Sequence, residues 1–352
     1  MTYIISITKQ SQTTLFTFTL TMKQIILPFI ILAVTALNCT AQGQKQDSPQ
    51  TVDTVATVYM TRDITPESLV EIYKALGVKA EGRVAIKIST GESSKTNHLR
   101  PDFIRPLVDE VNGTLVECNT AYGGSRSTTA NHMKAISERG YDKIAKVDIM
   151  DADGSMELPV RDTTWIKCDM VGSHLANYDF MINLAHFKGH QMGGFGGVLK
   201  NQSIGIASAD GKAYIHTAGK KNTVDGMWKH VGNQDGFLES MAAAAAAVHD
   251  YFKQEGKNIV YINVMNNMSI DCDCNGNPQH PMIKDYGIMA STDPVALDKA
   301  CLDVVFNYDS KEGDTAIPLQ NRIKEMHGTH TVDHAAKIGL GTMKYKIVEL
   351  GK

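Results

Sequence analysis

Residues Tyr178–Phe187 read YDFMINLAHF, and residues 188–216 continue KGHQMGGFGGVLKNQSIGIASADGKAYIH. The first run is apolar at nearly every position. A strand with one solvated face alternates apolar and polar side chains, whereas a strand covered on both faces reads as a continuous apolar run. Tyr178–Phe187 is therefore expected to be a central strand with helices on both sides. The glycine-rich segment that follows then lies beyond the carboxyl end of that strand, where open α/β sheets bind ligands.

Outward from this strand, strand and helix signals alternate. Strands are expected at Val52–Met60, Arg83–Ser89, Thr114–Asn119, Lys143–Ile149, Thr164–Val171, Asn258–Val264, Tyr286–Ala290 and Tyr345–Leu350. Thr65 followed by Pro66 reads as an N-cap and first helical residue, with Gly77 as the stop; Asp293-Pro294 repeats the pattern. Further helices are expected over 101–111, 126–139, 237–253, 317–326 and 332–338. The class is α/β, a largely parallel sheet covered by helices on both faces.

The chain has 352 residues, 43% hydrophobic and 21% charged, which is the composition of a globular protein and not of a disordered one. A net charge of −3 argues against a nucleic-acid surface. Ile25–Leu37 (IILPFIILAVTAL) is uncharged and thirteen residues long, preceded by Met22-Lys23. A membrane span needs about 20 residues, so the run reads as a signal-peptide core. Residues 1–41 are expected to be a leader, with Met22 as an alternative start, and 42–50 a linker. Residues 51–352 form the α/β domain, with two lobes meeting near 210–235. The protein is expected to be exported, periplasmic or secreted, with no transmembrane span in the mature chain. Acylation at Cys39, giving a lipoprotein, is the alternative.

Two segments carry chemistry. The first combines His186, His190, five glycines within 189–197, Lys200, Asn201 and His216. Glycines let a backbone approach a ligand closely. Histidine serves as base or metal ligand near neutral pH. A glycine-rich turn with surface histidines is the bland alternative. The second segment, NNMSIDCDCNGNPQHPMIKD at 266–285, offers Cys272 and Cys274 between carboxylates. Thiolates suit transition metals, but Cys-x-Cys supplies two ligands at most. Cysteines in a loop, or disulfides to Cys118, Cys168 or Cys301, are the alternative. A bridge directly between Cys272 and Cys274 is not expected on geometric grounds. Arg126 follows a strand and can face an anion. His132, His330 and His334 read as surface or half-buried histidines, and Asp293 as a helix cap only.

The strings HFKGHQMGGFGGVLKNQSIG, INVMNNMSIDCDC and DYGIMASTDPVALDKACLDVV resemble the signatures of the domain-of-unknown-function 362 family. The resemblance runs from about Val84 to Leu350. Many members carry a ferredoxin module with a C-x2-C-x2-C-x3-C run. No such run occurs here, so a 4Fe–4S ferredoxin-type cluster is not expected. More distantly, His190, the turn Gly194-Phe195-Gly196-Gly197, Lys200 and His216 resemble the spacing of the nickel-dependent lactate racemases. That resemblance implies His190 as acid/base, Lys200 as anchor of a cofactor or substrate, and His216 as a metal ligand. It also implies a lactate-racemase-like fold. Residue 124, at the offset of a second racemase histidine, is glycine, and Asn201-Gln202-Ser203 stands where the racemases have Pro-Gly.

The combined expectation is an extracytoplasmic, metal-dependent enzyme acting on a small anion. Its catalytic residues are His190 and Lys200. Its ligand contacts are Gly194, Gly196, Gly197, Asn201 and Arg126. Its metal ligands are Cys272, Cys274, His186 and His216, for a transition metal of unspecified identity. The alternatives are an iron–sulfur or thiol redox protein and a non-catalytic anion-binding protein. Composition and motifs say nothing of oligomeric state.

Overall fold

The structure, a computed structural model, describes residues 54–254 and 256–351. The expected leader, linker, Met22 start and Cys39 anchor lie outside the described residues. Val52–Lys352 is one compact unit.

The strands are β1 (Ala56–Thr61), β2 (Val84–Lys87), β3 (Thr114–Glu117), β4 (Val147–Ile149), β5 (Ser155–Pro159), β6 (Cys168–Gly172), β7 (Phe180–His186), β8 (Lys188–His190), β9 (Gly194–Gly196), β10 (Asn258–Met265), β11 (Gly287–Ser291) and β12 (Tyr345–Glu349). Eight of them form the main sheet, in the order β12-β1-β11-β10-β7-β2-β3-β4. Only β11 runs against its neighbours; the other pairs are parallel. β7 sits centrally, paired in register with β10 (Phe180↔Asn258 to His186↔Val264) and with β2 (Phe180↔Val84 to Asn183↔Lys87). All seven residues of β7 are buried, as the apolar run requires.

The helices are α1 (Pro66–Ala75), α2 (Pro101–Val111), α3 (Thr129–Arg139), α4 (Val198–Ser203), α5 (Ala209–His216), α6 (Gln234–Lys253), α7 (Pro294–Phe306), α8 (Ile317–Glu325) and α9 (His330–Lys337). They cover both faces. Val84, Ile86, Phe180 and Ile182 share one apolar layer with Leu69 and Ile72 of α1 and Leu107 of α2. Ala85, Met181 and Ala185 face the other, with α6 and α7. The alanine run of α6, Ala242–Ala247, is buried throughout. Residues without a long side chain let that helix lie close against its neighbours.

Local chemistry accounts for most boundaries. The Thr65 side chain accepts from Ser68 N at 3.1 Å, and Asp293 from Ala296 N at 2.9 Å. α3 starts at Thr129, later than expected, because Thr128 is the cap that accepts from Asn131 N. α6 starts earlier, because Asn233 caps it at Gly236 N. The strand expected at Thr164–Val171 forms as β6 from Cys168, paired with β5 outside the main sheet, while β5, the β8–β9 hairpin and the helix α5 have no counterpart among the expected elements. β8 and β9 are three residues each and glycine-rich, too short for a periodic signal. The histidine expectations also need correction. His132 is fully buried beneath Glu117, and His334 is buried with its Nε2 2.8 Å from Asp162. Among the described residues no helix is long and apolar enough to cross a membrane.

Candidate active site at the carboxyl edge of the sheet

The parallel strands bring three polar residues to one edge: Lys87 ends β2, Glu117 ends β3 and His186 ends β7. A cavity of about 110 Å³ lies there. On that measure one water needs about 10–15 Å³, so it has room for a molecule of several non-hydrogen atoms.

The glycine loop forms one wall. After β7 the chain turns into the hairpin β8–β9, in which Lys188 pairs Gly196 and His190 pairs Gly194. Gly194 takes a φ of +75°, and a Cβ on it would lie 2.8 Å from Gly328 Cα. At Gly197 a Cβ would lie 2.3 Å from an Asp298 oxygen. That approach lets the buried Asp298 carboxylate accept from Val198 N at 3.0 Å and Leu199 N at 2.9 Å, tying down the start of α4. Lys200 and Asn201 sit on this helix. Asn201 donates to the Lys87 carbonyl at 3.1 Å and to Asn183 Oδ1 at 2.7 Å, and accepts from Lys87 Nζ at 3.2 Å. It locks α4 to the ends of β2 and β7. The expected loop contacts therefore divide: Gly196 and Gly197 line the cavity, whereas Gly194 packs behind it.

Five cations line the cavity, Lys87, Lys188, Lys200, Lys212 and Arg126, against two carboxylates, Glu117 and Asp273. Four cations have partners. Lys188 Nζ is 2.9 Å from Asp273. Lys87 Nζ is 3.8 Å from Glu117. Arg126 Nε is 3.2 Å from Glu92, and its Nη1 is 3.7 Å from Glu117. Lys212 Nζ donates to the Ala207 carbonyl at 2.5 Å. No hydrogen-bond or ion-pair partner reaches Lys200 Nζ among the described residues.

Burial, then the neighbouring charges of Lys188, Lys87 and Arg126, push the Lys200 amine down to about 7. Burial likewise brings Lys87 down to about 8, against the pull of Glu117. Burial would raise Glu117, but Lys87, His132 and Arg126 outweigh it and hold the carboxyl well below its ordinary value. Asp273 behaves the same way beside Lys188 and His186.

The three histidines differ in what their ring nitrogens meet. His186 Nδ1 is 3.1 Å from both Asp273 oxygens, and its Nε2 is 2.7 Å from the Asn266 carbonyl. Both nitrogens are engaged by these contacts, so the ring belongs to the wall around Asp273. His190 Nδ1 accepts from Met192 N at 3.2 Å and Gly193 N at 2.9 Å. The ring's proton is thereby assigned to Nε2. Burial and the cations Lys200 and Lys188 hold this ring well below its ordinary value, so it is neutral. His216 has the opposite tautomer. Its Nδ1 donates to the Lys212 carbonyl at 2.7 Å, leaving Nε2 with its lone pair. It stacks on Phe237 at 4.9 Å, and burial brings it down to about 4.

Cys272 and Cys274 are joined by a disulfide, against expectation. The loop folds tightly enough to bring the two Cα atoms within 5.2 Å, inside the usual range for a bridge. Cys118, Cys168 and Cys301 are free. Ligand atoms of His190, Cys272 and Cys274 lie within 4.8 Å of one another. In this form the set does not fit a metal. Neither sulfur is a thiolate, and the Nδ1 lone pair of His190 is taken by two backbone N–H groups.

With this geometry in view, residues 84–303 match the family described as "Domain of unknown function (DUF362)". The chain belongs to that family. No curated protein matches it. The lactate racemase apoprotein from Thermoanaerobacterium thermosaccharolyticum aligns at 14% identity over 70% of this chain and 56% of its own, with a TM-score of 0.39. A protein from Thermotoga maritima aligns at 14% identity over 67% of this chain and 57% of its own, also at 0.39. The chain thus spans little more than half the length of either structure. Likeness at this level says nothing about activity.

Of the residues singled out in sequence, this DUF362 member brings His190, Lys200, Asn201, Arg126, His216, Gly196, Gly197 and both cysteines to one cavity. His186 is also there, as a support for Asp273. The sequence reading missed Lys87, Glu117, Lys188 and Lys212. Lys87 and Glu117 carried a usable signal, since each lies near the carboxyl end of an expected strand, Arg83–Ser89 and Thr114–Asn119.

Proposed function

We propose that this DUF362 protein is an enzyme that binds a small anion at the carboxyl edge of its sheet and turns it over there. The observation that carries this reading is the charge of the cavity, five cations facing two carboxylates with Lys200 unpaired. Lys200 is partly buried, and a cation drawn away from water without a partner is costly, a cost that a bound anion would relieve. His190 presents an N–H and His216 a lone pair to the same space, which is the equipment for orienting an oxygen and moving a proton. Arg126, Lys188 and Lys87 supply the remaining positive field, and Gly196 leaves room for the stems of Lys200 and Lys188. The leader-like run Ile25–Leu37 supports a place outside the cytoplasm, testable by fractionating cells that express the full chain.

The binding claim is tested by thermal shift with pyruvate, lactate, sulfate and phosphate. Wild type should be stabilised by at least one, and Lys200→Met should lose most of that shift. Indifference of the wild type to all four would end the reading.

A metal held by His190, Cys272 and Cys274 is the second reading, favoured by the 4.8 Å cluster. It requires the disulfide to open, because thiolates and not disulfides bind metals. Elemental analysis of the reduced and the oxidised protein decides it. The reduced form should take up one equivalent of a transition metal that Cys272→Ser loses. Equal and negligible uptake by both forms would remove this reading.

A further inference from the structure

Lys200 and Lys188 flank the same stretch of backbone. A Cβ on Gly196 would lie 3.4 Å from Lys200 Cδ and 3.7 Å from Lys188 Cε. The two side chains thus converge over a glycine, yet their ends differ. Lys188 is held by Asp273 at 2.9 Å. Lys200 has no partner among the described residues, and it lines the cavity beside both histidines. A merely electrostatic anchor would duplicate four cations already present. An unpaired, partly buried amine in a cationic wall is what a lysine nucleophile requires.

We propose that Lys200 forms an imine with a small 2-oxo carboxylate bound in this cavity, the carboxylate facing Arg126 and Lys188 and the carbonyl facing Lys200. The inference rests on the reading of the cavity as an anion site and names its substrate class. The Lys200 lone pair attacks the carbonyl carbon, forming the C–N bond as the C=O π pair moves to oxygen. His190 Nε2–H donates a hydrogen bond to that oxygen. His216 Nε2 takes one proton from the nitrogen and passes it to the oxygen, giving the carbinolamine. A second transfer by the same route accompanies cleavage of the C–O bond. Water leaves, the C=N bond forms, and no electrons or protons are gained or lost overall. Depression of Lys200 to about 7 by burial and its cationic neighbours supports the step, because a substantial part of the side chain is then free amine at neutral pH.

The test uses the folded protein with pyruvate or 2-oxobutyrate, sodium borohydride as trap, and peptide mass mapping. The expected result is a secondary amine on the peptide carrying Lys200. With pyruvate its added mass is that of pyruvic acid less one oxygen. Lys200→Arg should keep a melting temperature close to wild type and give no adduct. Thermal shift by the same oxo acids without borohydride reports binding separately. Stabilisation with no adduct at Lys200 overturns the imine and leaves the anion site standing. Neither stabilisation nor adduct overturns both. An adduct spread over surface lysines and unaffected by Lys200→Arg also overturns the imine.

Discussion

The two segments that bracket the cavity treat buried charge in opposite ways. In 266–285, the Asp273 carboxylate is enclosed by Lys188 at 2.9 Å and His186 at 3.1 Å, and is neutralised where it stands. In 186–216, Lys200 is left without a partner among the described residues, beside the cations Lys188, Lys87 and Arg126. A paired charge holds a wall together, whereas an unpaired one is available to a ligand. The same cavity therefore divides its ionisable groups into structure and chemistry, and substitutions should separate the two by their effect on stability.

The largest effect is expected on the paired side. Asp273→Ala leaves Lys188 buried without its carboxylate and takes the acceptor from His186 Nδ1, at a cost of about 3–5 kcal/mol in urea unfolding. The pH dependence has a definite sign. Asp273 is held well below the ordinary carboxylate range, although burial alone would raise it. Its contribution is fully present above the unfolded value of about 3.9 and is lost as pH falls toward the folded value. The difference between wild type and Asp273→Ala should therefore be constant from neutrality to about pH 4 and shrink only below it. A difference already shrinking at pH 6 would place the pair's charge elsewhere.

A second buried aspartate sharpens the contrast. Asp169, on β6, has no hydrogen-bond partner on either oxygen among the described residues, and burial raises it well above its ordinary value. Here the sign reverses, and stability falls as pH rises through and beyond the unfolded value of about 3.9. Asp169→Val removes an unsatisfied buried group from a strand and should gain about 1–3 kcal/mol at neutral pH. The gain should diminish in acid. A loss of stability at pH 7 would show that Asp169 has a partner after all.

These pairings explain what could and could not be read from the sequence. The apolar run of β7, the Thr65-Pro66 and Asp293-Pro294 caps and the alanine run of α6 are local signals, and the sheet followed from them. The glycine loop was legible because glycine density marks close backbone approach, and Gly197 against Asp298 is such a place. The partners were not legible. Asp273 meets Lys188 and His186 across more than eighty residues of sequence. The tautomers of His190 and His216 depend on which backbone groups their Nδ1 atoms meet, and periodicity does not encode that. The Cys272–Cys274 bridge was judged from spacing alone, but the turn of the intervening Asp273 decides how close the two Cα atoms come.

The bridge itself should matter little to the fold. It closes a loop of three residues, and in the chain-entropy picture such a loop contributes only about 1–2 kcal/mol. The double variant Cys272→Ser with Cys274→Ser should lose no more than that in urea. A loss as large as that of Asp273→Ala would mean that the bridge fixes the position of the aspartate between them, and that the paired wall depends on it.

Lys200→Met should have the smallest effect on stability and the largest consequence for the comparison. The methionine keeps the length of the stem and removes a partly buried amine that has no hydrogen-bond or ion-pair partner among the described residues. Lys188, Lys87 and Arg126 outweigh the opposing charge of Asp273, which Lys188 already pairs at 2.9 Å, so the substitution relieves more repulsion than attraction. Unfolding free energy should stay within about 1 kcal/mol of wild type or rise, while stabilisation by anions is lost. A fall comparable to that of Asp273→Ala would show that Lys200 is also part of a neutralised pair. If instead the fold is untouched and anion stabilisation disappears, Lys188 and Lys200 hold different offices over the same glycine, one keeping Asp273 in place and the other left for the ligand.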